Sequence, residues 1–146
     1  MRSRLVWLAL LVVFAVIAWF VAEDTTWWWL VPQGAFILFY AWWSYPNRGA
    51  TTTHAEVTAL DEGDPRRRVI IYWRPGCMYC SRLRRRLGSA RRSATWVNIW
   101  ADDEAAAFVR SVNQGNETVP TVVLEGEAHT NPPPELVRDS LAAGLR

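Results

Sequence analysis

The feature that most constrains this fold is a pair of cysteines placed between a strand-like and a helix-like segment. Cys77 and Cys80 are the only cysteines in the chain, and they flank Met78 and Tyr79. An apolar run, Val69–Trp73, precedes them, and a helix-like run follows. A helix N-terminus stabilises a thiolate, and a second cysteine at this spacing lies close enough to resolve a mixed disulfide. The spacing therefore predicts thiol–disulfide chemistry.

A metal site or a structural disulfide fits the sequence less well. A zinc site needs about four ligands, and beyond the pair the chain offers only His54, His129 and carboxylates, without a second ligand pair. A structural disulfide across so short a loop constrains the unfolded chain little. We therefore predict no metal site, and we interpret His54 as a solvated side chain in a polar linker.

Two apolar segments occupy the N-terminal third of the chain. The first, residues 5–22, carries no charged residue, and the second, residues 27–45, is almost as apolar. Each is close to the length of about 20 residues that crosses a bilayer. The sequence therefore predicts a transmembrane α-helical hairpin over residues 1–46, with a lipid bilayer as a partner. A cleaved signal peptide is the alternative for the first segment.

Charged residues beside the two segments predict their orientation. Arg2 and Arg4 precede the first segment and Arg48 follows the second, whereas the intervening turn carries Glu23 and Asp24. Lysine and arginine are enriched on the cytoplasmic side of membrane spans. We therefore expect a multi-pass protein of the cell membrane with two spans, whose termini and redox domain are cytoplasmic.

The rest of the chain divides into a small polar segment and an alternating α/β segment. Residues 47–65 are predicted as a linker, with a short strand at 57–60, and residues 66–146 as a second domain. The order of its elements predicts a mixed four-stranded sheet with helices on both faces. The predicted strands cover residues 69–73, 95–100, 121–124 and 127–130, and the predicted helices cover residues 79–90, 103–112 and 134–143.

Thr118-Val119-Pro120 stands at the start of the third predicted strand. Proline cannot donate to a β ladder, so one interpretation is an ordinary loop proline that enters a strand. Beside a Cys-x-x-Cys helix, a second interpretation is a cis proline that exposes the backbone of Val119 next to the reactive sulfur. An extended thiol substrate would then pair with that backbone as an added strand does.

These elements together resemble glutaredoxins. The Cys77-to-Cys80 motif, the Thr118-Val119-Pro120 segment and the order of elements are similar to that family. Residues 108–122, with Thr130-Asn131-Pro132, resemble more specifically the mycoredoxins, the glutaredoxin-like proteins of actinobacteria. The resemblance covers residues 69–141 and implies an α/β thioredoxin-like (glutaredoxin-type) domain that exchanges with a small thiol, mycothiol.

The resemblance also implies roles for individual residues. Cys77 is the implied nucleophile, Cys80 the resolving thiol, and the Val119–Pro120 bond the cis peptide. Arg74, three residues before Cys77, is a candidate electrostatic aid to the thiolate, with a solvated loop arginine as the alternative. The expected substrate-binding residues are Arg74, Tyr79, Thr118, Val119, Pro120, Thr130 and Asn131.

The implied activity is the reduction of mixed disulfides between proteins and mycothiol. We expect no tightly bound cofactor, mycothiol as the thiol co-substrate, and NADPH acting indirectly through mycothione reductase. The expected partners are mycothiol and thiol-modified proteins. Alternatives are a thioredoxin-like dithiol reductase, a glutathione-dependent glutaredoxin, a non-catalytic module that binds an iron–sulfur cluster or copper, and a domain that docks a partner.

Arginine supplies all 16 basic residues of the chain, and many of them cluster at residues 66–68 and 82–92. A nucleic-acid surface is one interpretation of such clusters, but the charge of residues 47–146 is nearly balanced by acidic residues. We therefore expect no nucleic-acid partner. Contact with anionic headgroups and an ordinary solvated helix face remain as alternatives.

Overall fold

The chain forms two compact units, Met1–Arg48 and Gly49–Arg146. They are seen in a computed structural model, which describes residues 2–22, 30–43, 45 and 52–143. The first unit contains two helices that contact each other, α1 (Arg2–Ala22) and α2 (Leu30–Trp43). The predicted turn between them, residues 23–26, and Arg48 lie outside the described residues.

The structure contradicts the prediction of a transmembrane hairpin. Within the described ranges, no helix is both long enough and apolar enough to cross a membrane. Helix α2 has 14 residues, which span about 21 Å against a hydrocarbon core of about 30 Å. The same finding contradicts the prediction that the protein lies in the cell membrane with two spans and cytoplasmic termini.

The second unit contains the remaining elements. Two short helices precede the first strand, and a 3₁₀ segment follows the helix after that strand. In chain order they are α3 (His54–Thr58), α4 (Pro65–Arg68), β1 (Val69–Trp73), α5 (Met78–Leu87), the 3₁₀ segment (Gly88–Ser93), β2 (Thr95–Asn98), α6 (Asp103–Val112), β3 (Thr121–Leu124), β4 (Glu127–Thr130) and α7 (Pro134–Ala143).

The four strands form one mixed sheet in the order β2-β1-β3-β4. Strand β1 is parallel to β2 and antiparallel to β3, which is antiparallel to β4. All residues of β1 are buried because both faces of the sheet are covered. One core cluster contains Ile71, Leu83 of α5 and Val137 of α7, and the other contains Tyr72 and Val109 of α6. The predicted thioredoxin-like α/β domain with a mixed four-stranded sheet is confirmed.

Two predicted elements end earlier than the sequence indicated. The helix predicted over residues 79–90 ends at Leu87, where Gly88 takes a φ of 56° that glycine adopts at little steric cost. The strand predicted over residues 95–100 ends at Asn98. The side-chain oxygen of Asn98 accepts a hydrogen bond from the backbone amide of Trp100 (3.0 Å), which turns the chain away from the sheet.

The segment before the sheet is part of the second unit rather than a solvated linker. The strand predicted at 57–60 is instead the end of helix α3 and the turn after it; the helix is capped by Thr53 and buries Val57 in the core. The backbone amide of His54 donates to Asp102 (2.6 Å), and its Nδ1 lies 2.7 Å from the buried Tyr72 hydroxyl. These tertiary contacts hold residues 52–60 on the domain, so His54 is a partly buried side chain in contact with the domain rather than a freely solvated linker residue. Residues 46–51 lie outside the described part of the chain.

Candidate active site

The turn between β1 and α5 places the sulfur of Cys77 at the start of a helix. Gly76 takes a φ of 74°, a left-handed conformation that suits glycine in a tight turn. Cys77 is the N-cap of α5, and its sulfur accepts a hydrogen bond from the backbone amide of Cys80 (3.3 Å). The first amides of a helix lack acceptors within the helix. The Cys77 sulfur takes the place of the side-chain oxygen that usually caps them.

The segment that leads into β3 forms the opposite wall of the site. The Val119–Pro120 peptide bond is cis, and both residues are buried. The sulfur of Cys77 lies 3.5 Å from the carbonyl oxygen of Val119, within reach for the protonated thiol to donate. The backbone amide of Asn131, at the end of β4, donates to the carbonyl of Pro120 (2.8 Å). Three parts of the chain therefore meet around one sulfur atom.

A network of buried polar side chains holds this wall in place. The side-chain amide of Asn113 donates to the Val109 carbonyl (2.7 Å) and to the Thr121 hydroxyl (2.9 Å), and its oxygen accepts from the Thr130 hydroxyl. The Thr121 hydroxyl in turn donates to the Thr118 carbonyl (2.8 Å). Because buried polar groups are costly when left unpaired, this network fixes the conformation of the segment before Val119.

An open groove of about 780 Å³ lies over the Cys77 sulfur, within the roughly 300–1,000 Å³ typical of small-molecule sites. Met78 and Tyr79 are both well exposed at its rim. The residues that line it are Arg74, Gly76, Cys77, Met78, Tyr79, Asn116, Glu117, Thr118, Val119 and Asn131.

Most of the residues predicted to bind substrate meet in this groove, and two do not line it. Pro120 is buried behind the wall, and Thr130 belongs to the polar network beneath it. Sequence reasoning did not single out Asn116 or Glu117, which lie in the loop before the cis peptide. Their polar character directly before Thr118 is the signal that would have found them.

The electrostatic environment of Cys77 favours its thiolate. A hydrogen bond from the Cys80 thiol, followed by backbone hydrogen bonds from Cys80 and Tyr79 and the positive charge of Arg74, lowers the pKa of Cys77 from 9.0 to about 6, against the opposing effect of burial. The contribution of Arg74 is the smallest of these. Its guanidinium also lies 5.6 Å from the ring centre of Trp100.

Cys80 has the opposite character. Its side chain is buried, whereas Cys77 is only partly buried. The hydrogen bond with Cys77, burial and the neighbouring negative charge all raise the pKa of the Cys80 thiol. At neutral pH the site therefore combines an accessible thiolate with a buried, protonated thiol.

A thioredoxin-like fold that holds a low-pKa sulfur at a helix N-terminus, beside a second thiol and an open groove, defines a thiol–disulfide oxidoreductase. The glutaredoxin family model matches residues 69–129. The chain is 43% identical over 72 residues to the "putative glutaredoxin" of Mycobacterium tuberculosis strain H37Rv, across 49% of this chain and 86% of that protein. It is 38% identical over 65 residues to Mycoredoxin 1 of Corynebacterium glutamicum, across 44% of this chain and 80% of that protein. The chain belongs to the glutaredoxin family.

Proposed function

We propose that this oxidoreductase removes mycothiol from mixed disulfides with proteins, with Cys77 as the nucleophile and with Cys80 available as a resolving thiol. The observation that carries the proposal is the contrast between the two sulfurs. The partly buried Cys77 has a pKa lowered to about 6, whereas Cys80 is buried and its pKa is raised. The similarity to a protein named Mycoredoxin 1 supports mycothiol as the small thiol.

In the first step, the Cys77 thiolate attacks the mycothiol sulfur of the mixed disulfide. A bond forms between these two sulfurs, the original disulfide breaks, and the protein cysteine leaves as a thiolate that takes up a proton. Because Cys77 is mostly ionised at neutral pH, no separate base is required for this attack. The product is a mixed disulfide between Cys77 and mycothiol.

In the second step, a mycothiol thiolate attacks the sulfur of the mycothiol that is bound to Cys77. The disulfide of two mycothiol molecules forms, and Cys77 leaves as the stabilised thiolate with which the cycle began. NADPH then reduces that disulfide through mycothione reductase, so the proposed cycle needs no cofactor bound to this chain. A thiol with a low pKa is a good leaving group, and the same hydrogen bonds therefore favour both steps.

The groove supplies positions for the rest of the mycothiol molecule. Its polar lining residues include Arg74, Asn116, Glu117, Thr118 and Asn131, and the Val119 carbonyl faces the sulfur. An extended thiol substrate placed there would pair with the backbone of Val119, as an added strand does. Tyr79 at the rim would cover the substrate from the side of α5.

A dithiol route is the second candidate, because the Cys80 thiol is hydrogen-bonded to Cys77 and lies close enough to resolve the adduct. In that route Cys80 attacks Cys77, releases the small thiol and leaves an intramolecular disulfide. The two routes differ in whether Cys80 is required.

An NADPH-coupled assay on a peptide–mycothiol mixed disulfide tests the proposal. We expect turnover with mycothiol and mycothione reductase, and little with glutathione and glutathione reductase. Cys77→Ser should be inactive, whereas Cys80→Ser should retain much of the activity. Ser81→Ala, a change in the same helix turn, is the matched control. Turnover with glutathione alone would overturn the choice of mycothiol, and an inactive Cys80→Ser protein would favour the dithiol route.

A further inference from the structure

The exposed side of helix α5 carries a row of arginines that begins at the mouth of the groove. Cys80, Leu83 and Leu87 mark its buried side. Arg82 and Arg85 lie on the opposite side, with helical spacings of four and seven residues from Met78. Arg86 lies seven residues from Tyr79 on the neighbouring row. We call Arg82, Arg85 and Arg86 the α5 arginine stripe.

The arginines of this stripe have no acidic partner among the residues that the structure describes. The described ion pairs involve Arg66, Arg68, Arg110 and His129. Helix α5 contains no acidic residue, so neighbouring arginines at these spacings repel one another. The positive charge of the stripe is therefore exposed and complementary to a partner of opposite charge.

A further arginine extends the stripe from the adjacent helix. The guanidinium of Arg138 in α7 donates to the backbone carbonyl of Arg86 (2.7 Å), which places its charge at the C-terminal end of α5. By contrast, Arg84 lies on another side of α5, between the rings of Trp73 and Trp96. The positive charge is therefore concentrated along one surface that is continuous with the groove.

The rim of the groove connects the reactive sulfur to this stripe. Met78 and Tyr79 line the groove next to Cys77 and are 79% and 59% exposed. Arg85 is eight residues beyond Cys77 along the helix, about 12 Å at 1.5 Å per residue. By the same rise, Arg82 and Arg86 lie about 7.5 and about 13.5 Å beyond Cys77. An extended chain advances about 3.3 Å per residue. A client chain whose cysteine reaches Cys77 would therefore bring its second to fourth neighbouring residues to the stripe.

We propose that the α5 arginine stripe docks an acidic segment of the client protein that lies about two to four residues from the modified cysteine. This inference rests on the proposed function, since it names the class of protein on which Cys77 acts. Contiguity with the groove favours a client chain over nucleic acid. A nucleic-acid surface does not require the stripe to begin at the reactive sulfur.

Peptides that differ only in charge test this proposal. Each carries one cysteine joined to mycothiol, followed at the second to fourth positions after it by glutamates, glutamines or lysines. We expect kcat/KM at low salt to be about 5- to 20-fold higher for the glutamate peptide than for the glutamine peptide, from a few exposed ion pairs. The ratio should approach one at high salt because the charges are screened.

The preference should depend on the stripe and not on total charge. Arg82→Gln/Arg85→Gln should lower the ratio of glutamate to glutamine peptide toward one. Arg91→Gln/Arg92→Gln, which removes the same charge from the exposed 3₁₀ segment, should preserve it. A wild-type ratio of one, or a ratio that survives the Arg82/Arg85 change, would overturn the proposal. The proposal would also be overturned if the Arg82→Gln/Arg85→Gln protein lost affinity for a short DNA duplex but kept its preference for the glutamate peptide.

Fluorescence anisotropy with peptides that lack the disulfide tests docking without turnover. The glutamate peptide should bind wild-type protein more tightly than the glutamine peptide, and the Arg82→Gln/Arg85→Gln protein should not discriminate between them. Docking in this assay with no turnover of any mixed disulfide would count against the proposed function alone. Turnover without discrimination in either assay would count against the stripe alone.

Discussion

Replacement of Cys80 tests the physical origin of the reactive thiolate. The hydrogen bond from the Cys80 thiol is the largest cause of the lowered Cys77 pKa. Cys80→Ala removes that donor, so the pKa of Cys77 should rise from about 6 toward its ordinary 9.0. Cys80→Ser retains a hydroxyl donor at the same position, so the Cys77 pKa should remain closer to that of the wild type.

The size of the effect follows from two opposing trends. With a pKa of about 6, roughly 90% of Cys77 is thiolate at pH 7, against about 1% for full reversion to 9.0. A more basic thiolate is intrinsically more reactive, by about 20-fold over three pK units at a Brønsted slope near 0.45. We therefore expect Cys77 of the Cys80→Ala protein to react about fourfold more slowly than Cys77 of the wild type near pH 7. Well above pH 9 it should react more than about tenfold faster.

The assay is the rate of Cys77 alkylation by iodoacetamide as a function of pH, with the modified site identified by mass spectrometry. The wild-type and Cys80→Ala curves should cross between neutral and alkaline pH, and Cys80→Ser should lie between them. Superimposed profiles for wild type and Cys80→Ala would refute the assigned role of the Cys80 hydrogen bond. Identical shifts of the pH profile in Cys80→Ala and Cys80→Ser would show that a hydrogen-bond donor at position 80 does not affect the pKa of Cys77.

Three further outcomes follow from the structure. Asn113→Ala leaves buried groups of the network unpaired and should destabilise the domain by about 1–3 kcal/mol in urea titrations; an unchanged midpoint would contradict this. His54→Ala removes the contact with the Tyr72 hydroxyl and should speed amide hydrogen exchange over residues 53–59, whereas full protection would show that other contacts hold this segment. The pKa of Cys77 is lower in the folded protein than in the unfolded chain. The free energy of unfolding of the reduced protein should therefore increase as the pH is raised from about 6 to about 9, and this gain should be lost as the pH falls back through 6. Cys77→Ser should remove that slope in pH-dependent thermal unfolding, and a slope that survives the substitution would assign it to another group.

The site was predictable where its determinants are local in sequence. The strand, the Cys77-to-Cys80 spacing and the following helix lie within residues 69–87, and short-range patterns therefore place the sulfur at a helix N-terminus. Helix α6 is likewise fixed by a local contact, since the carboxylate of its N-cap, Asp102, accepts hydrogen bonds from the backbone amides of Glu104 and Ala105. The mixed four-stranded sheet was predictable from the same alternation of strands and helices.

The features that sequence reasoning missed depend on contacts between distant residues. Asn113 links β3 and β4 through side-chain hydrogen bonds that no periodicity reveals. His54 was interpreted as solvated because its neighbours are polar, yet its contacts with Asp102 and Tyr72 are 48 and 18 residues away in sequence. In the first unit, hydropathy predicted spans, whereas α2 has only 14 residues.

The most direct test of the central claim is the mass of the covalent intermediate on the Cys80→Ser protein. Without the second thiol, the adduct on Cys77 persists after a single turnover with a peptide–mycothiol mixed disulfide. We predict that Cys77 gains the mass of one mycothiol and that the free peptide is released. Gain of the peptide mass on Cys77 instead, or no adduct at all, would contradict the account.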